Sequence, residues 1–255
     1  MFSKELYQNY LRTTFLGREF NYQPKTNSTN EAAWQCFIDG TPDGTLILTD
    51  NQTSGKGRRQ NKWNSTPDKS LTFSFILHSK LELELEKIGL LPLLMGISIV
   101  KGITAATAIQ TGLKWPNDIM LNDKKMGGIL IESKQTGNGL GVVVGVGLNI
   151  NENAQDIPHT PRDNAISLAM FSGQNHSREQ ILSAILNEFE TLYDNQIDSI
   201  IPLWTDHCIH QDREVSFHSE RGKQQGIFQG ISSLGHAEIQ INGKTQTFPS
   251  GMVVL

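Results

Sequence analysis

Residues 55–63 read GKGRRQNKW, a short run in which cationic side chains alternate with glycine. Glycine at 55 and 57 lets the backbone approach a ligand with its N–H groups outward. Lys56, Arg58, Arg59 and Lys62 add donors suited to phosphate or carboxylate. The run is neither a phosphate loop, G-x-x-x-x-G-K-[ST], nor a dinucleotide fingerprint, G-x-G-x-x-G. Spacing alone leaves two readings open, an anion cradle or a solvated turn.

A second group is KWPNDIMLNDKKMGGIL at 114–130. Asp118 and Lys125 flank an expected hairpin turn at Asn122–Asp123, so both could face one cavity. Gly127 and Gly128 would let a ligand lie close to that strand. The plain alternative has Asp118 capping a turn and Lys125 in solvent. A third segment, GVGLN, ends a glycine-rich strand at Asn149, as a flat wall for a ligand or a face for close helix packing. Ser28-Thr29-Asn30 is explained as a helix N-cap, though a helix N-terminus also suits a polar ligand. His207-Cys208-x-His210 matches no common zinc spacing, so no metal ligand is assigned. The absence of G-x-S-x-G removes support for a hydrolase nucleophile elbow.

The elements that must position these groups follow from periodicity. Ser28 and Glu31 form a capping-box pattern before EAAWQCFI, a helix ended by Gly40 and Pro42. TLILTD (45–50) reads as an apolar strand running into the basic segment. SLTFSFIL (70–77) alternates and reads as a half-buried strand. Residues 88–110 predict a buried helix with Pro92 near its start. LKWPNDIML reads as a strand interrupted by Pro116, with KKMGGILIES as its hairpin partner. GLGVVVGVGLNIN (139–151) is a further strand, 151–165 a loop, and 177–196 an amphipathic helix. Beyond about 210, short strands with Asn242-Gly243 at one turn predict a small β-barrel of about five strands.

The chain has 255 residues, 22 Lys+Arg against 26 Asp+Glu, two Cys and a net charge of −4. That length is enough for one or two domains with their own core. An acidic balance argues against a dedicated DNA binder, whose affinity rests on neutralising phosphates. The two isolated cysteines read as reduced thiols. The charged N-terminus has no signal-like apolar stretch, and the run Ile88–Val100 is too short to span a bilayer, so a cytoplasmic protein is expected.

Taken together, STN at 28–30, GKGRRQNKW at 55–63, KWPND at 114–118, KKMGGIL at 124–130 and GVGLN at 145–149 resemble the biotin protein ligases, in order and in spacing. The resemblance implies an α+β fold: a mixed, mostly antiparallel sheet with helices, like the class II aminoacyl-tRNA synthetases, over residues 1–210. A C-terminal SH3-like β-barrel would occupy 211–255. It implies ATP and biotin as substrates, Mg²⁺ on the phosphates, and a two-step reaction. Biotin is activated as biotinyl-5′-AMP and then passed to a lysine of a biotin carboxyl carrier protein of biotin-dependent carboxylases.

By the same resemblance, Ser28, Thr29, Asn30 and Gln52 would hydrogen-bond the ureido ring. Gly55, Lys56, Gly57 and Arg58 would close over the carboxylate and the adenylate phosphate, with Trp63 walling the pocket. Lys125 would hold carboxylate and α-phosphate, and Asp118 would assist adenylation or its metal, making Arg58, Lys125 and Asp118 the catalytic set. Gly128 and Leu130 would line the biotin site; Arg58, Arg59, Lys125 and Asn149 would face the nucleotide. The sequence departs from the family's basic motif at Lys56, which replaces Arg, and at Asn61, which replaces a basic residue. Fewer than 30 residues precede Ser28, so a DNA-binding repressor domain is not expected. The resemblance leaves a homodimer open. Rival readings are a lipoate or octanoate ligase of the same fold, whose R-R-x-x-G-G-G-type segment is missing, and a non-catalytic biotin- or nucleotide-binding module.

Overall fold

A computed structural model describes residues 1–78, 88–157, 165–195, 199–219 and 222–254. Seven strands form the main sheet: β1 (Phe20–Gln23), β2 (Leu46–Thr49), β5 (Leu71–His78), β6 (Gly112–Lys114), β7 (Asp118–Leu121), β8 (Lys124–Thr136) and β9 (Gly139–Leu148). Their order is β1-β2-β5-β9-β8-β7-β6, with only the β1–β2 pair parallel. This agrees with the mixed, mostly antiparallel sheet expected. A two-stranded ribbon, β3 (Gly55–Lys56) and β4 (Lys62–Trp63), carries the basic run.

Helix α2 (Thr29–Ile38) covers one face of the sheet, packing Ala33, Trp34 and Phe37 on Ile47, Ile76 and Val143. The other face is covered by α3 (Leu91–Thr107) and α5 (Arg178–Asn195), with α1 (Lys4–Tyr10) packed on α5. The strand expected to be half-buried, β5, is instead buried on both faces. Leu71, Phe73, Phe75 and Leu77 enter the large core, while Thr72, Ser74 and Ile76 face α2 and the cavity. Alternation marked the two faces correctly, but helices close over both, so the polar side is not solvent.

Three further expectations are corrected. Pro116 does not interrupt a strand: it sits in the corner of a hairpin, across which Lys114 pairs with Asp118, and the Trp115–Pro116 peptide is cis. The capping box does not form, since Ser28 occupies the N-cap position without a side-chain cap bond. Glu31 turns away to pair with Lys56. The helix expected over 88–110 ends at Thr107, where Ala108 takes a left-handed conformation (φ 60°) and closes it. The hairpin turn at Asn122–Asp123 is as expected, both residues at positive φ. Of the expected 151–165 loop, residues 158–164 lie outside the described residues.

Short helices α4 (Leu168–Ser172) and α6 (Ile200–Thr205) lead to an antiparallel sheet of β10 (Glu214–Ser219), β11 (Gly222–Ile231), β12 (Ala237–Ile241), β13 (Lys244–Phe248) and β14 (Met252–Val254), in the order β13-β12-β11-β10-β14. This five-stranded sheet is consistent with an SH3-like unit. Asn242 and Gly243 take the positive φ of a two-residue hairpin turn. The small sheet shares a core with the large one. Trp115 packs on Phe217 with ring centres 5.9 Å apart, and its Nε1 donates to Gly235 O at 3.0 Å. His210 is fully buried against Phe228 and Cys208. Burial holds its ring near a pKa of about 3 and pushes the Cys208 thiol up to about 11, so this segment is a neutral part of the seam.

Candidate active site

Between α2, the sheet and the basic ribbon lies a cavity of about 160 Å³. Its floor follows from cross-strand register. Thr72 of β5 stands opposite Gly147 of β9, Gly147 opposite Gly128 of β8, Gly128 opposite Asp118 of β7, and Asp118 opposite Lys114 of β6. Opposed residues share a face, so one row runs from a hydroxyl across two glycines to a carboxylate and an ammonium. The next row on that face is Ser74, Gly145 and Leu130. A methyl group at Gly145 would collide with the Asn30 amide, and one at Gly147 with the Trp63 indole. These glycines therefore leave room for side chains brought from α2 and β4.

The charged end of the floor depends on a β-bulge. Lys125 and Gly128 are three residues apart, which in a regular strand puts them on opposite faces. The register of β7 and β8 shifts between Ile119 and Met120, so that Gly127 pairs with Ile119 but Lys125 with Met120. The extra residue, Met126, drops into the core, and Lys125 joins Gly128 on the cavity face. There Lys125 Nζ lies 2.6 Å from Asp118 Oδ1, and Lys114 Nζ lies 3.1 Å from Oδ2. One carboxylate thus anchors two ammonium groups.

The wall at the start of α2 is polar and nearly sealed. Thr29 N and Oγ1 donate to Gln52 Oε1 at 2.8 and 3.2 Å. Ser74 Oγ lies 2.7 Å from both Thr29 Oγ1 and Asn30 Oδ1. Asn30 Nδ2 donates to Glu132 at 2.8 Å, which also accepts from Trp34 Nε1 at 3.3 Å. The amide of Asn30 is therefore fixed in orientation. Upstream of Gln52, Asp50 is held by the buried Arg178 guanidinium at 2.8 Å.

The basic ribbon closes the other side. Arg58–Gln60 form one tight helical turn in which Arg59 adopts φ 52° and ψ 40°. Arg58 Nη1 donates to Asn117 Oδ1 at 3.4 Å, and Asn117 is tied to Ile129 through both its backbone and its side chain. Burial, then the charge of Arg59, disfavour the Arg58 cation, while Asp118 favours it. Lys56 lies 2.5 Å from Glu31. The lining holds the cations Lys56, Arg58, Arg59, Lys62 and Lys125 against one carboxylate, Asp118. Such a cavity suits a polyanion at one end and a neutral polar group at the other.

Of the site residues expected from sequence, all line this cavity except Gly55 and Asn149. Gly55 is buried beneath Gln52 and Trp63, where a side chain would clash with both. Asn149 directly follows β9, its amide donating to Ile166 O at 3.3 Å. Sequence reasoning missed Thr72, Trp115, Asn117 and Met252. Asn117 lies inside the KWPND motif, and Thr72 shares the period of Ser74, so both had a local signal. Met252 had none, because its presence depends on how the C-terminal sheet docks. Among the described residues no three His, Cys, Asp or Glu side chains gather as a metal cage.

Comparison with known proteins agrees with this geometry. The family model described as the biotin/lipoate A/B protein ligase family matches residues 22–149. The bifunctional ligase/repressor BirA of Bacillus spizizenii is 34% identical over 230 residues, covering 88% of this chain and 70% of that protein. The biotin–[acetyl-CoA-carboxylase] ligase of Mycobacterium tuberculosis is 27% identical, covering 93% and 89%. Among solved structures, the biotin protein ligase from Aquifex aeolicus in complex with biotin and ATP superposes with a TM-score of 0.77 at 27% identity, covering 93% of this chain and 98% of that one. A cavity with a cationic lid, a glycine floor and a polar wall thus lies in a chain that belongs to the biotin/lipoate A/B protein ligase family.

Proposed function

We propose that this chain is a biotin–[acetyl-CoA-carboxylase] ligase that uses ATP to make biotinyl-5′-AMP and transfers biotin to a lysine of a biotin carboxyl carrier protein. The observation that carries the reading is the pairing, in one cavity, of five cations with a buried wall of hydroxyl and amide groups. The ureido ring of biotin offers both donors and an acceptor to such a wall. A lipoyl dithiolane or an octanoyl methyl end offers that wall neither donors nor a comparable acceptor, and a polar site discriminates against an analogue that lacks the matching groups.

In the first step a carboxylate oxygen attacks the α-phosphorus of ATP, an anhydride bond forms, and pyrophosphate leaves. Two negative charges about 4 Å apart repel by about 4 kcal/mol at an effective dielectric of roughly 20. Lys125, oriented by Asp118, and Arg58, oriented by Asn117, offset that repulsion where the two anions meet. Lys62 and Arg59 extend the positive lining toward the polyphosphate. Asp118 is the one carboxylate of the lining and is already bound to two lysines, so Mg²⁺ would be carried chiefly by the phosphates and water, as is usual for this ion; there it would neutralise charge on the polyphosphate. In the second step the carrier lysine, as a free amine, attacks the acyl carbon, AMP leaves, and an amide remains.

Gly251 and Met252 bring the C-terminal sheet to the rim of the cavity. We include in the proposal a division at about 210, with 1–210 catalytic and 211–255 closing one side of the site. A cytoplasmic location goes with ATP as substrate. No helix among the described residues is long and apolar enough to cross a membrane.

The test is ATP–pyrophosphate exchange with biotin, lipoate or octanoate as the added acid. Exchange with biotin is expected. Exchange with lipoate or octanoate alone would overturn the substrate, and none with any acid would favour a binding module.

A further inference from the structure

Two polar atoms lining the cavity are buried without a hydrogen-bond partner: Thr72 Oγ1 and Trp63 Nε1. Thr72 is 3% exposed. The two belong to one place, because Thr72 stands opposite Gly147, and the Trp63 indole, Nε1 included, lies directly on Gly147. Other polar side chains around them are paired. Ser74, the next residue of β5 on the same face, reaches Thr29 and Asn30, and Gln52 accepts from Thr29.

Such atoms are costly to leave unmade in a finished core, at about 1–3 kcal/mol each. A hydrophobic fold gains nothing from a threonine there, since valine has the same shape and higher apolar content. An indole N–H can only donate, whereas a hydroxyl can donate or accept. The ligand atom that satisfies both is an acceptor with two lone pairs, such as a carbonyl oxygen. The row Thr72–Gly147–Gly128–Asp118 steps across three strand spacings of about 4.8 Å each. Thr72 therefore lies roughly 14 Å of sheet away from the Asp118–Lys125 pair. A group bound at Thr72 is thus far from the Asp118–Lys125 pair that takes the carboxylate, and the two unpaired atoms call for an acceptor there that need carry no charge.

We propose that Thr72 and the Trp63 N–H form a two-point notch for a neutral carbonyl oxygen on the acid substrate, and that Thr72 determines specificity for acids that carry one. This rests on the ligase reading above and deepens it: the ureido carbonyl is the group the notch would take. No catalytic role is implied. Thr72 touches the part of the substrate that does not react.

The test is Thr72→Val, which keeps shape and strand preference, alongside Thr72→Ser, which keeps the hydroxyl. Calorimetric binding of biotin and of desthiobiotin, which retains the ureido ring, is measured together with ATP–pyrophosphate exchange. Thr72→Val is expected to weaken both acids about tenfold, to raise the biotin KM likewise, and to leave the KM for ATP and the exchange rate at saturating biotin within about twofold. Thr72→Ser should restore most of the affinity. Unchanged biotin affinity in Thr72→Val would overturn the notch, and so would a rise confined to the KM for ATP, which would give the hydroxyl to the nucleotide. Failure of the underlying reading looks different: the wild-type protein would then neither bind nor exchange with biotin.

Discussion

The floor of the cavity and its basic lid carry comparable chemistry but are held in unlike ways. Thr72, Gly147, Gly128 and Asp118 are successive members of one ladder inside a seven-stranded sheet, packed by helices on both faces. The lid is a ribbon with two residue pairs, one of which sets Lys56 directly opposite Lys62. Like charges in that position oppose pairing. What returns the lid to the body is a small set of side-chain contacts, Arg58 to Asn117 and Lys56 to Glu31. The difference separates two tasks. On the proposed reading, placing the reacting carboxylate would need geometry that does not drift, while a ribbon that admits two substrates and releases an activated product would need contacts that break at small cost.

That contrast makes floor substitutions severe and lid substitutions graded. Lys125→Ala should have the largest effect, slowing ATP–pyrophosphate exchange by about 10²–10³-fold while changing biotin affinity little. Equal losses in rate and affinity would make Lys125 mainly a binding residue. Gly145→Ala comes next. The added methyl would displace the Asn30 amide from Ser74 and Glu132, and calorimetry should show biotin affinity falling by roughly tenfold or more. Near-normal affinity would mean that the floor yields more than its packing indicates.

Arg58→Gly should leave the floor intact and loosen the lid, so that biotinyl-adenylate escapes. The readout is labelling of bystander lysines, expected to rise several-fold. A variant that labels its carrier alone, with normal affinity for the intermediate, would remove the latch role. The smallest effect belongs to Glu31→Gln. Both partners of the Lys56–Glu31 pair are about half exposed, and such pairs contribute about 0.2–1 kcal/mol. Faster release of the intermediate, by no more than about fivefold and only at low salt, is expected. A salt-independent effect would place that side chain in another role.

Several parts of this site were legible in the residues alone. The basic run left an anion cradle or a solvated turn open, and its cations line the cavity; Asp118 and Lys125 flanked a turn whose Asn122–Asp123 residues take the expected backbone conformation. The alternation of β5 told which residues share a face. The capping box misled, because Ser28 and Glu31 have the right spacing for a local motif yet each has a distant alternative: Ser28 faces the cavity, and Glu31 finds Lys56. Local rules lose where a charged partner arrives from elsewhere in the chain. Asn149 stands just outside the cavity lining, its amide donating to the Ile166 carbonyl.

The sequence by itself determined the chemistry available: cations spaced by glycine, one carboxylate, small residues along one strand, and hydroxyl and amide groups ahead of a helix. Side-chain type, local turn preference and two-residue periodicity are short-range properties, and they are written in consecutive residues. Only the tertiary structure decided which of these meet. The bulge at Met126 puts Lys125 on the face of Gly128, and Gly145 and Gly147 admit Asn30 and Trp63. Docking of the C-terminal sheet brings Met252 to the rim. Each of these depends on register and on close packing between segments far apart in the chain, where one residue of slip turns a side chain to the opposite face.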